Sequence, residues 1–229
     1  MKKAIEVCNL QVKLPKSEEI LLNDMNIEIN EGEAVALVGL SGCGKSVFAK
    51  TIAGIIPYMI EMDVEGEVKL FGKDVRTMSP QEKIESIGYI FQNPDSQIFS
   101  TVVEMELAFG PENLGLEIEE IDRRITTVLK QINMEEYRYH NINELSGGQK
   151  QLIAIASILT LEPKILICDE ILCQLDEQGC ERVITLLKGL RENGMTIFMI
   201  EHDLDKLKFV DRIFTISNNT LKVFEGKLG

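Results

Sequence analysis

Residues 39–46 have the sequence Gly39-Leu40-Ser41-Gly42-Cys43-Gly44-Lys45-Ser46 and match the phosphate-binding pattern G-x-x-x-x-G-K-[ST] at every fixed position. The glycines let the backbone turn so that successive N–H groups point at phosphate oxygens, and the helix that follows adds the positive end of its dipole. Lys45 can then reach the β- and γ-phosphates, and the Ser46 hydroxyl can bind Mg²⁺. This stretch therefore predicts a P-loop fold that binds a nucleotide.

The segments on either side of this loop have the pattern that the motif requires. Ala34 to Val38 is a short apolar run, typical of a strand covered on both faces, and Ser46 to Ile55 has helical spacing. Further strands are predicted at Ile5 to Val12, Ile20 to Ile29, Gly66 to Phe71, Ile87 to Phe91, Ile165 to Cys168 and Thr196 to Ile200, with a closing hairpin from Asp211 to Ile216 and Leu221 to Phe224. The first two alternate between apolar and polar residues and predict an antiparallel sheet. The later alternation of strands and helices predicts a mostly parallel α/β core.

The stretch from about Asn93 to Glu144 has a different character. It is acidic, has helical periodicity and contains the helix breakers Pro94, Pro111 and Gly115. We predict a mostly helical insertion here. The next segment, Gln149 to Leu161, is apolar nearly all round and predicts a buried helix.

A second apolar strand ends in two acids. Ile165-Leu166-Ile167-Cys168 is followed by Asp169 and Glu170. In a P-loop protein the first acid belongs near Mg²⁺, and the second can accept a proton from the attacking water or orient it. Such an ending alone is often just a strand that meets solvent, but together with the phosphate loop it predicts a hydrolytic site.

The composition argues against several classes of function. The 229-residue chain has 24 Lys and Arg against 37 Asp and Glu, a net charge of −13, which disfavours broad binding to a nucleic-acid backbone. The five cysteines lack the spacing of a zinc knuckle, so we expect reduced thiols and no metal cage. No apolar run approaches the ~20 residues that span a bilayer, so we expect a soluble chain whose membrane role would require a partner.

Leu145-Ser146-Gly147-Gly148-Gln149 is a third motif. Ser146 and the two glycines would present a hydroxyl and backbone N–H groups to an anion at a helix start, although the sequence also permits an N-cap with no ligand. At this motif the chain resembles the ABC ATPases, whose L-S-G-G-Q signature is matched at all five positions. The resemblance implies a head-to-tail dimer with a second ABC ATPase protomer, of the same or a homologous chain. In it, the signature of one protomer closes on ATP held by the phosphate loop of the other.

The resemblance covers essentially the whole chain and implies further site residues. Gln92 matches the Q-loop glutamine, Asp176 the D-loop aspartate and His202 the switch histidine. It implies that Glu170, His202 and Gln92 are catalytic and that Ser46, Gln92 and Asp169 surround Mg²⁺. The implied ATP contacts are Gly39, Leu40, Ser41, Gly42, Cys43, Gly44, Lys45, Ser46 and Val47, with Ser146, Gly147, Gly148 and Gln149.

The implied fold is α/β, a P-loop NTPase of the ABC type, with a mostly parallel core sheet, an antiparallel β subdomain and an inserted helical subdomain. We expect a single ABC ATPase domain over residues 1–229. Residues 1–92 and 155–229 would form the catalytic core with the β subdomain, and residues 93–154 the helical subdomain that carries the signature.

Two runs indicate a narrower resemblance. They are F-Q-N-P-x-x-Q, from Phe91 to Gln97, and A-F-G-P-x-N-L-G, from Ala108 to Gly115. Both look like the ATPases of energy-coupling-factor importers, which take up vitamins or transition-metal ions such as cobalt or nickel. The resemblance implies a transmembrane coupling subunit whose helices enter a groove at this region, a substrate-binding membrane subunit, and a place at the cytoplasmic face of the cell membrane. No nucleic-acid partner is expected.

The chain also departs from the family pattern. The aromatic residue that normally stacks on adenine is replaced by Leu14 or Val12, and the D-loop stretch from Ile171 to Asp176 lacks the usual Pro-Thr and small residues. These departures lead us to expect relaxed nucleotide selectivity and altered communication between protomers, for example with a non-identical ATPase.

Three hypotheses remain at this point. The first is the ATP-driven motor subunit of a membrane importer. The second is an ABC ATPase that acts on nucleic acid or ribosomes, which is disfavoured by the acidic charge and by the lack of a long coiled coil before the signature. The third is an ABC partner that binds ATP without hydrolysing it. Gln92, Glu170 and His202 argue against this third hypothesis, whereas the unusual D-loop favours it.

Overall fold

The computed structural model describes residues 2–226, which form two β-sheets and a set of helices. The strands are β1 (Lys3–Lys13), β2 (Ile20–Asn30), β3 (Ala34–Val38), β4 (Asp63–Leu70), β5 (Lys73–Asp74), β6 (Ile87–Ile90), β7 (Ile165–Asp169), β8 (Thr196–Ile200), β9 (Arg212–Ser217) and β10 (Thr220–Val223). The α-helices are α1 (Lys45–Ile52), α2 (Pro80–Ser86), α3 (Val103–Asn113), α4 (Ile118–Gln131), α5 (Gly147–Leu159) and α6 (Glu177–Glu192). Short 3₁₀ helices lie at Pro94–Ser96, Glu135–Tyr137, Ile142–Glu144 and Leu204–Leu207.

The larger sheet has the strand order β10-β9-β3-β8-β7-β6. β3 pairs in parallel with β8 and β9, β8 with β7, and β7 with β6. β10 pairs antiparallel with β9 across Asn218 and Asn219, whose φ angles of 52° and 60° suit a two-residue hairpin turn. The structure therefore confirms a mostly parallel core sheet and the closing hairpin.

This sheet separates two apolar cores. Along β3, Ala34, Ala36 and Val38 face one core, while Val35 and Leu37 face the other. Because side chains alternate across a strand, a strand covered on both faces must be apolar at every position, as β3 is. α1 and the smaller sheet cover one face, and α5 and α6 cover the other.

The smaller sheet, in the order β2-β1-β4-β5, is antiparallel, as predicted. β1 and β2 alternate between buried and more exposed residues over much of their length. β5 is absent from the prediction, because Lys73 and Asp74 are both polar and two residues cannot form an apolar alternation.

The insertion after β6 is mostly helical, as predicted, but Pro111 does not break it. This residue lies inside α3, so the predicted break there is wrong. A proline removes one backbone N–H and crowds the carbonyl four residues earlier. The loss is the one hydrogen bond that an N–H at position 111 would make, and α3 has only two residues beyond it. The chain leaves the helix at Gly115, whose φ of 69° is left-handed.

α5 begins and ends two residues earlier than predicted, at Gly147 and Leu159. A capping box causes the early start: the Ser146 hydroxyl accepts the N–H of Gln149, and the Gln149 side chain accepts the N–H of Ser146. α5 packs against α3 and α6. The expected division between residues 154 and 155 falls inside this continuous helix.

Gly66 in β4 lies opposite a bulge of β1. Its φ is 93°, and a Cβ here would lie 2.5 Å from the backbone oxygen of Asn9, whose own φ is 48°. We expect Gly66→Ala to lower the free energy of unfolding by about 2 kcal/mol or more, since a left-handed φ and a clash with backbone both add strain. Urea denaturation followed by circular dichroism measures this loss.

Gly189→Ala is the matched control. Gly189 lies inside α6, and a Cβ there would meet no atom within 4 Å. Alanine should stabilise the helix by about 0.5–1 kcal/mol. Equal effects of the two substitutions would contradict the assigned role of Gly66.

Candidate functional site

The phosphate loop lies at the edge of the larger sheet where the parallel strands end. β3 leads into Gly39, β7 into Glu170 and β8 into Glu201, and these strands are neighbours in the order β3-β8-β7. β6, next to β7, leads through Phe91 to Gln92. Because parallel strands bring their carboxyl ends to one edge, residues far apart in the sequence meet here.

The loop has the backbone conformation that its glycines allow. Gly39, Gly42 and Gly44 have φ angles of 146°, 80° and 97°. Lys45 is 4% exposed, and its ammonium donates hydrogen bonds to the carbonyls of Gly39 (3.1 Å) and Leu40 (2.9 Å). Lys45 is also the first residue of α1, so the buried cation and the helix N-terminus favour an anion at the same place.

Asp169 is held by two hydroxyl groups. The Ser46 hydroxyl donates to Oδ1 at 2.9 Å, and the buried Tyr89 hydroxyl donates to Oδ2 at 2.5 Å. Burial, together with the charge of Asp169, raises the pKa of Tyr89, so the phenol keeps its proton and remains a donor. Both carboxylate oxygens therefore have partners, which fixes the orientation of Asp169 beside the loop.

The Ser46–Asp169 pair fits a magnesium ion that arrives with a nucleotide. Mg²⁺ takes one or two protein oxygens and completes its shell with phosphate oxygens and water. Ser46 Oγ and Asp169 Oδ1 are two such oxygens, 2.9 Å apart at the end of the loop. Residues 2–226 contain no group of three or more His, Cys, Asp or Glu side chains arranged to hold a metal by itself. The amide nitrogen of Gln92, the third predicted metal ligand, donates to Glu170, so its amide oxygen is the atom available to a metal ion.

Glu170 brings the predicted catalytic residues together. Its carboxylate accepts a hydrogen bond from Gln92 Nε2 at 3.1 Å and lies 2.8 Å from His202 Nε2 and 3.8 Å from Lys45 Nζ. The φ of Glu170 is 53°, which is uncommon for a residue other than glycine, and its N–H donates to the carbonyl of Ile200 on β8. The strained backbone at the end of β7 thus holds the carboxylate among three polar partners.

The signature residues lie at a separate place, the start of α5. None of the described hydrogen bonds or ion pairs joins Ser146, Gly147, Gly148 or Gln149 to the phosphate loop or to Glu170. The Ser146 oxygen caps the helix, so the possible N-cap is confirmed. The N–H groups of Gly147 and Gly148, in the first helical turn, have no hydrogen-bond partner among residues 2–226.

α5 and α6 meet at two glycines. A Cβ on Gly148 would lie 3.2 Å from the Cα of Gly179, and a Cβ on Gly179 would lie 3.4 Å from the Cα of Gly148. Asp176, the predicted D-loop aspartate, caps α6 by accepting the N–H of Gly179 at 2.8 Å. The start of the signature helix is therefore in backbone contact with the helix that follows the D-loop.

The side chains of Cys43 and Val47 pack against an apolar core, so any contact of these residues with a nucleotide would use their backbones. Leu40, in contrast, is 83% exposed on the loop. Of the two residues expected at the adenine position, Val12 is fully buried in the smaller sheet and cannot stack on a base. Leu14 follows β1 and is half-buried.

Three polar residues near the site are absent from the prediction. Tyr89 holds Asp169, and Glu201, 3% exposed, follows β8. Gln97, 6% exposed, accepts the N–H of Phe91 at 3.1 Å and donates to a carbonyl of α5 at 2.7 Å. The sequence contains a signal for each of them. Tyr89 and Glu201 are polar residues in or directly after an apolar strand, and Gln97 is the second glutamine of F-Q-N-P-x-x-Q. A polar residue buried at such a position needs a hydrogen-bond partner.

Comparison with known proteins finds similarity along nearly the whole chain. The sequence profile of the family described as ABC transporter matches residues 22–172. A protein of Methanosarcina acetivorans, named as an ABC transporter ATP-binding protein, is 44% identical over 211 residues, which are 91% of this chain and 33% of that protein. A Pyrococcus abyssi protein of the same description is 42% identical over 225 residues, 97% of this chain and 80% of that protein.

Among solved structures, cbiO1 from Clostridium perfringens, described as part of the ABC transporter complex cbiONQ, matches with a TM-score of 0.86. It is 30% identical, and the match covers 97% of this chain and 88% of that chain. The chain spans about a third of the length of the Methanosarcina relative. The profile match includes the phosphate loop, the signature and Glu170, and it ends before Asp176 and His202.

Tyr89→Phe tests the hydrogen bond that holds Asp169. The substitution keeps the ring, which packs 5.1 Å from that of Phe91, and leaves an oxygen of the buried Asp169 without its donor. We expect the free energy of unfolding to fall by about 1–3 kcal/mol, the cost of an unsatisfied buried acceptor. Chemical denaturation of the nucleotide-free protein measures it.

Tyr139→Phe removes the same atom from a ring that is 71% exposed and is the control. Its effect should stay within about 0.5 kcal/mol. If the two substitutions changed stability equally, the hydrogen bond of Tyr89 would contribute nothing specific.

Proposed function

The chain belongs to the ABC transporter family, and on that premise we propose that it is the ATP-binding and ATP-hydrolysing subunit of a membrane importer. One observation carries the proposal: Lys45, Gln92 and His202 surround the Glu170 carboxylate beside the phosphate loop. A partner that only binds ATP would need the loop but not this arrangement of three groups around one acid.

The phosphate loop, residues 39–47, would bind the phosphates of ATP through backbone N–H groups and the Lys45 ammonium. Ser46, Asp169 and Gln92 would hold Mg²⁺, which when bound neutralises charge on the β- and γ-phosphates. Tyr89 supports this by keeping Asp169 in one orientation.

Glu170 is the proposed general base. It would take a proton from the attacking water as the water oxygen bonds to the γ-phosphorus and the bond from that phosphorus to the β–γ bridging oxygen breaks. His202 and Gln92 contact different oxygens of this carboxylate and would keep it aimed at the water. Most of the rate enhancement would come from positioning and charge stabilisation.

The site needs a second ABC ATPase protomer, of the same or a homologous chain. Ser146, Gly147, Gly148 and Gln149 lie at the start of α5 and would meet the ATP of the facing protomer in a head-to-tail dimer. The Ser146 oxygen accepts the N–H of Gln149, which leaves its own proton to donate to a phosphate oxygen. The N–H groups of Gly147 and Gly148 would add two further donors.

The importer would be of the energy-coupling-factor type, for a vitamin or a transition-metal ion. The F-Q-N-P-x-x-Q and A-F-G-P-x-N-L-G runs and the similarity to cbiO1 support this. Near these runs the rings of Phe99 and Phe109, 74% and 48% exposed, lie 5.5 Å apart. Met105, on the same helix as Phe109, is 63% exposed. Exposed apolar surface of this kind fits the helices of a transmembrane coupling subunit.

No helix described within residues 2–226 is long and apolar enough to cross a lipid bilayer. We propose that the chain is held at the cytoplasmic face of the cell membrane by the coupling subunit, together with a substrate-binding membrane subunit and no nucleic acid. Residues 1–229 would act as one ABC ATPase domain. Its helical part, residues 93–154, would carry both the signature and the apolar surface.

Glu170→Gln tests the proposed base. The amide cannot accept the proton of water, so the rate of phosphate release should fall by roughly 10²- to 10³-fold. ATP binding should remain, and light scattering should detect a dimer that persists in ATP. Glu181→Gln, an exposed acid on α6, is the matched control and should keep the wild-type rate.

Lys45→Ala should abolish ATP binding, because it removes the cation held inside the loop. Intact binding would exclude the assigned role of the loop. Hydrolysis at the wild-type rate by Glu170→Gln would exclude Glu170 as the base. A wild-type chain that binds ATP and never hydrolyses it would favour the hypothesis of an ABC partner that only binds ATP.

Affinity purification from detergent-solubilised membranes of the native cell tests the importer. We expect a small multi-spanning protein to co-purify with the tagged chain and to be lost in the double variant Phe99→Ala, Phe109→Ala, because the apolar contact is removed. Val223→Ala, on the exposed edge strand β10, is the control and should retain it. Recovery of ribosomal or DNA-bound proteins in place of a membrane subunit would favour an ABC ATPase that acts on nucleic acid or ribosomes.

A further inference from the structure

Glu201 is a buried acid that the proposed mechanism does not use. It directly follows β8, and its side chain is 3% exposed. Its backbone N–H donates to the carbonyl of Leu37, near the end of β3, at 3.3 Å. Glu201 therefore has β3, the strand that leads into the phosphate loop, on one side and His202 on the other.

The side chain of Glu201 folds back over its own backbone. Oε1 accepts the N–H of His202 at 2.7 Å and that of Asp203 at 3.1 Å. Two donors on one carboxylate oxygen restrict the backbone of both residues to one conformation. From that conformation the His202 ring reaches Glu170 Oε1 through Nε2, at 2.8 Å.

Asp203 continues this pattern in the next turn. Its Oδ1 accepts the N–H of Asp205 at 3.0 Å and caps the 3₁₀ helix Leu204–Leu207. His202 and Asp203 are both exposed, so core packing does not orient them. The hydrogen bonds to Glu201 therefore hold the backbone of His202, and the contact with Glu170 holds its ring.

The second carboxylate oxygen of Glu201 makes the arrangement costly. Oε2 is buried and has no hydrogen-bond partner within the part of the chain that the structure describes. A buried carboxylate oxygen without a partner lowers stability. Asp203 makes a similar turn with its side chain exposed to solvent, so the turn itself does not require a buried acid. Costs of this kind persist where they serve a functional site.

We propose that Glu201 is a positioning residue for His202: its carboxylate fixes the backbone from which the imidazole meets Glu170. Glu201 does not touch the reacting atoms and acts through His202. The kinetic consequence rests on the proposed ATPase function, whereas the hydrogen bonds can be measured without hydrolysis.

Amide hydrogen exchange, followed by NMR on the full chain, tests the hydrogen bonds. The amides of His202 and Asp203 should exchange slowly in the wild type and in Glu201→Gln, which keeps an acceptor oxygen, and quickly in Glu201→Ala. The amide of His140, the other histidine of the chain, bonds to the carbonyl of Tyr137 and should not change. Equal exchange of the two amides in the wild type and in Glu201→Ala would overturn the proposal.

ATP hydrolysis by the dimer tests the consequence in a double-mutant cycle. Glu201→Ala should lower kcat roughly ten- to hundredfold while the Kd for ATP stays near that of the wild type, and Glu201→Gln should restore kcat. In a His202→Ala background, Glu201→Ala should have little further effect, since it acts through the missing imidazole. The same fold-loss in both backgrounds, or a Glu201→Gln variant as slow as Glu201→Ala, would contradict the positioning role.

A folding defect and an inactive wild type can each be told apart from a failure of the proposed role of Glu201. If Glu201→Ala does not fold, Glu201→Leu fills the same buried volume without an acceptor and replaces it in both experiments. A wild-type chain with no ATPase activity would contradict the proposed function, and the amide exchange would still decide the role of Glu201.

Discussion

Parallel pairing brings the carboxyl ends of β3, β8 and β7 to one edge of the sheet. The segments that directly follow these strands form most of the site. The phosphate loop follows β3, Glu170 follows β7, and Glu201 with His202 follows β8. A shift in this register would move Lys45 and His202 away from Glu170, the residue that both of them contact, although Lys45 and Glu170 are more than a hundred residues apart in the sequence. The apolar cores on both faces prevent such a shift, because sliding a strand by one residue would exchange the side chains that face each core.

Sequence patterns predict those parts of the molecule that depend on local rules. An apolar run at residues 34–38 must be covered on both faces, and a G-x-x-x-x-G-K-S loop must be followed by a helix. The predicted catalytic residues meet in the structure because each ends a predicted strand. Features that depend on tertiary contacts escape this reasoning. In the sequence Tyr89 is one more residue of an apolar strand, and only the structure shows its hydroxyl bonded to Asp169. In the same way, the sequence marks Pro111 as a helix breaker, and only the structure places it near the end of α3.

The site stores unfavourable local energy in two acids. Glu170 has a left-handed backbone, and Glu201 buries an oxygen without a partner. Both residues directly follow buried strands, which are rigid enough to hold a conformation that a loop would relax. β7 and β8 are hydrogen-bonded neighbours, and the N–H of Glu170 bonds to the last residue of β8. Glu170 and Glu201 therefore support the same imidazole–carboxylate contact.

The glycine contact between α5 and α6 has a mechanical consequence. Gly148 and Gly179 present bare backbone to each other, so no side chain separates the two helices at this contact. A movement of the signature end of α5 toward α6 would therefore push directly on the start of α6, with its Asp176 cap. The backbone contact thus links the signature at the start of α5 to the D-loop aspartate at the start of α6. In the proposed head-to-tail dimer, this contact would pass a movement at the signature, which faces one nucleotide, on to the D-loop.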